Sequence, residues 1–497
     1  MASTWRPPSK ANLLRALVLV VGCLAKFSAG SIFAFNVYSN AIKATFNYTQ
    51  TEVLLLASMV NLGLGVGLPA GMVFDKFGPI LTSIVGLLST SAGYLLIWSS
   101  FKNPTFYSTR NPLMALYFFI IGHGSLYTYM SALGTNVRNF RDKHRAKIIG
   151  LLDACFGGSP AIFVLVYSEF YTNGHAEDQQ NQNVAGFMLL FAIWFAIANF
   201  LCVLFLRIYP PDSENISNNV SKSGTVQAEE CEKTVIGASA SDAQAYSSFD
   251  DNASINADVP DSKGVTNKSS KPSEMKQILL LFLDWKFQYL LWMFIFASVV
   301  GLAFVNNVTV VTKSVGLSKI DSVVTALIPV TGILARFTLG PLSDHIKERF
   351  ARINILLITN VVFAASQFMC IFLADRSWAF ILANILSGIS IGSLWTFVPA
   401  VISEYFGLRD FGRNWGIVIL LAALAGIGVQ AGYGMIYQSF ITDPDTTNCY
   451  GLICVKWNFV MMCGLTACAI LLNIFLILTT RSEFATAGRE HKSKQAT

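Results

Sequence analysis

Two basic side chains interrupt stretches of this chain that are otherwise apolar. Lys26 stands in Gly22-Cys23-Leu24-Ala25-Lys26-Phe27-Ser28-Ala29-Gly30, and Arg336 in Gly332-Ile333-Leu334-Ala335-Arg336-Phe337-Thr338-Leu339-Gly340. A charge at mid-bilayer is costly, so such groups face a cavity or a partner and are binding candidates by default. A guanidinium offers a carboxylate two parallel donors, which makes Arg336 the stronger candidate for holding an anion. Lys26 has three readings: substrate contact, a stem that snorkels to the interface, and an internal ion pair with Asp153. Arg336 has an alternative partner in Asp344, farther along the same stretch.

Acids are scarcer. Asp153 is placed near the start of its apolar stretch, and Glu169 and Glu404 at stretch ends, so no carboxylate is expected at mid-depth. Cations without a matched acid favour an anionic substrate. His123, Asp153 and Glu169 are the candidates for taking up a proton. Asn36, Tyr38, Tyr127, Asn307, Trp395 and His123 are further candidate substrate contacts, with ordinary helix packing as the alternative for the aromatics.

These residues are carried by runs long enough to cross a bilayer. Of the 497 residues 53% are hydrophobic and 13% charged, against about a quarter charged in a soluble domain. Twelve runs of about twenty residues can be marked. They fall near 11–36, 53–74, 79–99, 112–136, 147–170 and 184–207, then 287–311, 321–341, 353–373, 378–402, 413–436 and 456–479. The reading is an all-α polytopic membrane protein of 12 transmembrane helices. The first run is too long for a signal core and has no cleavage site. Five scattered His residues, with no CxxC or HExxH spacing, lead us to expect no metal and no cofactor, and basic residues confined to run ends argue against nucleic acid. No Walker loop is present, so direct ATP drive is not expected, nor is an enzyme.

Residues 208–286 interrupt the rhythm, rich in Ser, Asn and Asp and nearly without aromatics over 211–270, and are expected to be mostly disordered. They divide the chain into a tail (1–10), a first bundle (11–207), this linker, a second bundle (287–480) and a second tail (481–497). Lys and Arg are denser in the loops on the side of the termini, so both termini and the linker are expected in the cytoplasm. Asn47, in Asn47-Tyr48-Thr49, then lies outside as a glycosylation candidate, and Cys449 and Cys454 flank the outer entrance of the last run, where they could pair. The plasma membrane is the expected location, with a vacuolar or lysosomal membrane as the alternative, and a monomer is the expected functional unit.

Two loops carry related patterns at equivalent places in the halves: Gly71-Met72-Val73-Phe74-Asp75-Lys76-Phe77-Gly78 and Gly340-Pro341-Leu342-Ser343-Asp344. Their positions indicate two parallel repeats of six spans. The first resembles the signature of the major facilitator superfamily: a glycine, three residues, then aspartate, cation, any residue, glycine. That resemblance implies two parallel six-helix bundles, and a conformational latch at Gly71, Asp75, Lys76, Gly78, Gly340 and Asp344. A cation-rich tail common in the family is replaced here by Pro79-Ile80.

Ala335-Arg336-Phe337-Thr338-Leu339-Gly340 is similar to the span-eight segment of monocarboxylate transporters, where the arginine engages the substrate carboxylate. Gly332 stands where that family has an acid, and Phe33 where it has a substrate-linked lysine. The first span, from Gly30-Ser31-Ile32-Phe33 through Asn36, Tyr38 and Ile42-Lys43 to Tyr48-Thr49-Gln50, looks more like the nodulin-like and oxalate–formate exchanger branches. The expected function is secondary or facilitative transport of a small organic anion, a monocarboxylate or dicarboxylate, with a proton or a counter-anion as partner and membrane lipid around it. Transport of an amino acid or other zwitterion is the alternative. A receptor or scaffold of transporter fold is a third reading.

Overall fold

In lipid every backbone N–H and C=O must be satisfied within the chain, and apolar runs of twenty or more residues do so as helices. The computed structural model describes residues 10–172, 182–210, 273–441 and 449–495, with side chains to 480. The linker expectation for 211–272 lies outside the described residues. The described part is almost wholly helical, with one isolated bridge between Thr172 and Gln182. By contact the chain divides into a large unit, 1–211 with 282–497, and a small one, 212–281.

The principal helices are α1 (Lys10–Gly30), α2 (Phe35–Phe46), α3 (Gln50–Gly65), α4 (Gly67–Ser100), α5 (Asn111–Asn139), α6 (Arg145–Phe170) and α7 (Val184–Phe205). After them come α8 (Glu274–Leu283), α9 (Trp285–Ser314), α10 (Asp321–Ile346), α11 (Arg352–Leu373), α12 (Ser377–Tyr405), α13 (Phe411–Gln438) and α14 (Ile453–Gln495). Among the described residues eleven runs are long and apolar enough to span a membrane, and one of them, Gln50–Ser100, holds two of the twelve expected spans. The break lies at Gly78, whose φ of 76° is a conformation that favours glycine, followed by Pro79. Residues 274–283, assigned to the linker, are helical, and so is 481–495, assigned to a tail.

Local chemistry starts the helices where the runs begin. Thr49 and Glu52 form a capping box at α3, Asn183 accepts from Gly186 N at α7 and Asp284 from Lys286 N at α9. The first-half helices pack mainly on one another, as do those of the second half. The two halves meet chiefly where α4 crosses α13 and α6 crosses α10.

Their interiors differ. The first bundle packs rings on rings: Tyr167 on Phe187 at 4.8 Å and Phe187 on Phe191 at 4.5 Å. The second has Phe304 beside Phe380 and Phe459, and also a buried amide–hydroxyl group in which Gln367 donates to Ser387 at 3.3 Å.

Candidate functional site

At one end of the molecule the two halves are held by a pair of related arrangements. Asp75 accepts from the backbone N–H of Gly412 (3.0 Å) and Arg413 (2.6 Å) at the start of α13, and from Arg138 at 2.6 Å. Asp344 accepts from the backbone N–H of Ala146 (3.2 Å) and Lys147 (2.8 Å) at the start of α6, and from Arg352 at 2.5 Å. Each carboxylate thus caps a helix start in the opposite half, where unpaired N–H groups and the helix dipole favour negative charge. The Arg138 guanidinium also donates to the carbonyls of Leu408 and Arg409. Arg352 reaches the Asp142 carbonyl and pairs with Glu404, which also pairs with Lys347. Lys76 lies with its ammonium 5.4 Å from the Phe77 ring centroid.

Glycine lets the helices come this close. A Cβ on Gly71 would strike the carbonyl of Gly412, and one on Gly340 would sit 2.8 Å from the Ala146 carbonyl. Backbone cannot yield as a flexible side chain can. Gly71→Val is therefore expected to keep this end from closing, cutting counterflow of a transported substrate at least about tenfold (roughly 1.4 kcal/mol) while expression and monodispersity persist. Wild-type rates would show the contact to be dispensable.

Deeper in, three charged groups converge from both halves. The Lys26 ammonium lies 2.5 Å from Asp153 Oδ1, and both are buried. It also stands 3.1 Å above the centroid of the Tyr129 ring, a cation–π contact from α5. Arg336, on α10 of the other half, donates from Nη1 to the backbone carbonyl of Asp153 at 2.8 Å. Its guanidinium occupies the space that a Cβ on Gly157 would take. Two buried atoms of this group have no hydrogen-bond partner: Asp153 Oδ2 and Arg336 Nε.

The placement of Asp153 corrects the sequence reading. It lies eight residues into α6, about 12 Å along the axis, and Arg336 ten residues from the end of α10, about 15 Å. Both stand well inside helices long enough to cross a hydrocarbon core of about 30 Å. An acid therefore stands at the level of Lys26 and Arg336, and Lys26 is matched. Two cations and one carboxylate leave one positive charge. The alternative pairing of Arg336 with Asp344 is not formed, since Asp344 is engaged by Arg352 and the α6 start.

Other candidates are placed elsewhere. Tyr38 is packed in the aromatic interior against Phe35 at 5.4 Å and Phe187 at 5.8 Å, so it does not line a path. Asn307 is buried and returns its amide to the Ala303 carbonyl of its own helix at 2.8 Å. Asn36 is exposed, in the first turn of α2, beyond the Lys26 level. Glu169 is exposed near the far end of α6, sixteen residues past Asp153, about 24 Å away, so it cannot share a proton site with Lys26.

His123 sets Nδ1 3.3 Å from the Gly63 carbonyl and its ring stacked on Phe119 at 5.9 Å; Tyr127 meets it edge-on at 5.1 Å. Trp395 contacts Trp415 at 5.9 Å and Phe294 at 5.4 Å. Tyr129, and Gly157 as the gap that admits a guanidinium, are not candidates from the sequence, where Gly157-Gly158 with Pro160 reads only as a segment that permits close helix contacts. One sits among many aromatics and the other among many glycines, and nothing local marks either.

At the end opposite the latch, Cys449 and Cys454 are disulfide-bonded with Cα atoms 5.8 Å apart. Asn47 is exposed there in a left-handed conformation at the end of α2.

Residues 15–227 match the family model described as Nodulin-like, and residues 274–486 match NFD4, C-terminal domain. Among curated relatives, a probable transporter MCH1 of Wickerhamomyces anomalus is 23% identical over 449 residues, covering 88% of this chain and 84% of that protein. The probable transporter mch1 of Neurospora crassa is 23% identical over 525 residues, covering 91% and 87%. Among solved structures, the proton:xylose symporter XylE bound to 6-bromo-6-deoxy-D-glucose aligns with a TM-score of 0.64 at 14% identity, over 94% of this chain and 95% of that one. The transporter FucP in its outward conformation aligns at 0.59 and 12%, over 93% and 99%. At these identities the structural likeness is one of fold alone.

Proposed function

The chain belongs to the nodulin-like branch of the major facilitator superfamily, and from that premise we propose that it moves a small organic anion, a monocarboxylate or dicarboxylate, by alternating access. It is a multi-pass membrane transporter and not an enzyme. The observation that carries the anion reading is the mid-depth group at the junction of the halves: Lys26, Asp153 and Arg336, with one positive charge in excess and a guanidinium Nε that no protein atom satisfies. A buried donor without a partner costs about 1–3 kcal/mol, which a bound carboxylate would recover. Arg336 is the primary anion contact in this reading, and Lys26 is held in reserve by Asp153.

The latch end faces the cytoplasm. In support, the disulfide and the exposed Asn47 sequon share the opposite end, and disulfides persist in oxidising compartments. In this reading, closure of that end by Asp75 and Asp344 corresponds to the outward-facing state. The plasma membrane and a vacuole-like membrane both fit.

An amino acid is the second reading, favoured by the same Asp153 Oδ2, which is an open acceptor for an ammonium. Uptake and counterflow by purified protein in liposomes, across labelled carboxylates and amino acids, tests both. Carboxylate exchange supports the first reading; exchange of amino acids alone replaces it with the second. Silence across the panel from well-folded protein sinks both.

Gly157→Ala tests how finely the guanidinium is set. The new methyl would displace Nη1. The expected result is a KM raised about tenfold, with kcat changed less, because the anion contact is weakened before and during translocation alike. An unchanged KM would mean that Arg336 does not meet the substrate from this position.

A further inference from the structure

The Lys26–Asp153 pair does more than balance a charge, and its environment shows what. Asp153 is approached by Lys26 from α1, by Tyr129 from α5, by Arg336 from α10 and by Cys155 on its own helix, with the Cys23 thiol of α1 beside Cys155 and Lys26. From α13 comes Trp415, and α12 brings Trp395 and Thr396 at this level, while its acid Glu404 stays at the latch end with Arg352. Asp153 is thus the one carboxyl group at this depth among the described residues. It faces two cations, yet only one of its oxygens is bonded and the other is buried and bare. Lys26, for its part, needs Asp153 only as one of two supports, since its ammonium also rests over the Tyr129 ring.

We infer that the Lys26–Asp153 pair is a latent second anion subsite, opened by one proton on Asp153, so that a dicarboxylate enters with one proton while a monocarboxylate enters with none. This rests on the anion reading of the preceding subsection and gives it a coupling rule. The resting group bears two cations and one carboxylate, net one positive. A monoanion bound at Arg336 brings it to zero. A dianion would leave an excess negative charge in a low-dielectric setting, which is costly. A proton from solution adding to Asp153 Oδ2 makes that side chain a neutral acid, releases Lys26 to the substrate's second carboxylate, and returns the loaded group to zero. No bond other than O–H forms, and on release of the substrate the proton leaves with it to the other side.

The experiment uses the full-length protein in liposomes with an internal pH dye and the membrane voltage clamped at zero. Labelled pyruvate and lactate are the monocarboxylate probes, oxalate, succinate and malate the dicarboxylate probes, and protein-free liposomes give the background. Dicarboxylates are expected to accumulate about tenfold for each unit of inward proton gradient, with one proton entering per molecule, and monocarboxylates not to respond to the gradient. Asp153→Asn is expected to abolish the gradient-driven accumulation of dicarboxylate and to remove the pH dependence of its counterflow, while Asp153→Glu keeps both. Equal proton counts for the two classes, or a proton still entering with dicarboxylate in Asp153→Asn, overturn the inference while leaving anion transport standing. Should Asp153→Asn fail to insert, the contrast between the two classes in the wild-type protein decides. If no carboxylate is bound or moved at all, the anion reading fails, and this one with it.

Discussion

Replacing Arg336 with alanine is expected to lower carboxylate counterflow by two to four orders of magnitude. The substitution removes the guanidinium whose Nη1 is seated on the Asp153 carbonyl and whose Nε has no protein partner. What remains is a Lys26–Asp153 pair that is neutral as a unit. Losing one member of a desolvated charge contact costs about 3–5 kcal/mol, and each 1.4 kcal/mol is about tenfold. Arg336→Lys separates charge from geometry. It restores the cation but not the planar fork, so a recovery of no more than about a tenth of wild-type kcat/KM is expected. The measurement is counterflow in liposomes, with thermal stability checked for each variant. Full activity of Arg336→Ala would remove this residue from the substrate path and leave the anion reading without its chief support.

Asp344→Ala is expected to shift the balance between the closed and open latch end by about a hundredfold toward open. The carboxylate makes three hydrogen bonds across or beside the junction, to Ala146 N, Lys147 N and Arg352. Hydrogen bonds involving a charged group contribute about 1.5–3 kcal/mol each, and some of that is recovered as water enters, so a net loss of about 3 kcal/mol is a fair magnitude. The effect should exceed that of Asp344→Asn, whose remaining carbonyl oxygen still accepts from one backbone N–H. Labelling of single cysteines facing the junction near Gly150, with an impermeant maleimide from the latch side, reads the shift directly. Unchanged labelling would mean that Asp75 and the glycine contacts close this end by themselves. Because Asp75 makes the matching contacts with α13, the double variant should fall below either single one.

Much of this was readable without coordinates, and particular residues show why. Runs of about twenty apolar residues leave the backbone no alternative to helix in lipid, so the twelve spans follow from composition and length. Gly71 to Gly78 marks a helix end by local chemistry, and its last glycine does adopt the left-handed conformation that a side chain would resist. Lys26 and Arg336 announced themselves because a charge in an apolar run needs a reason.

Other things depended on distance between spans. Tyr38 and Tyr129 are both span tyrosines in the sequence; one is packed among rings and the other lies beneath an ammonium. Asp153, counted as an end-of-span acid, meets Lys26 at a sequence separation of 127, and Arg336 meets its carbonyl at a separation of 183. The sequence alone determined the apolar spans, the motif ends and the presence of cations within those spans, because each of these is set within a few turns of chain. Only the tertiary structure decided that Lys26 is matched, that Arg336 is seated in the gap at Gly157, and that Asp75 and Asp344 each cap a helix of the opposite half. Those are relations between helices, and helix periodicity says which face a residue occupies but not what stands opposite it.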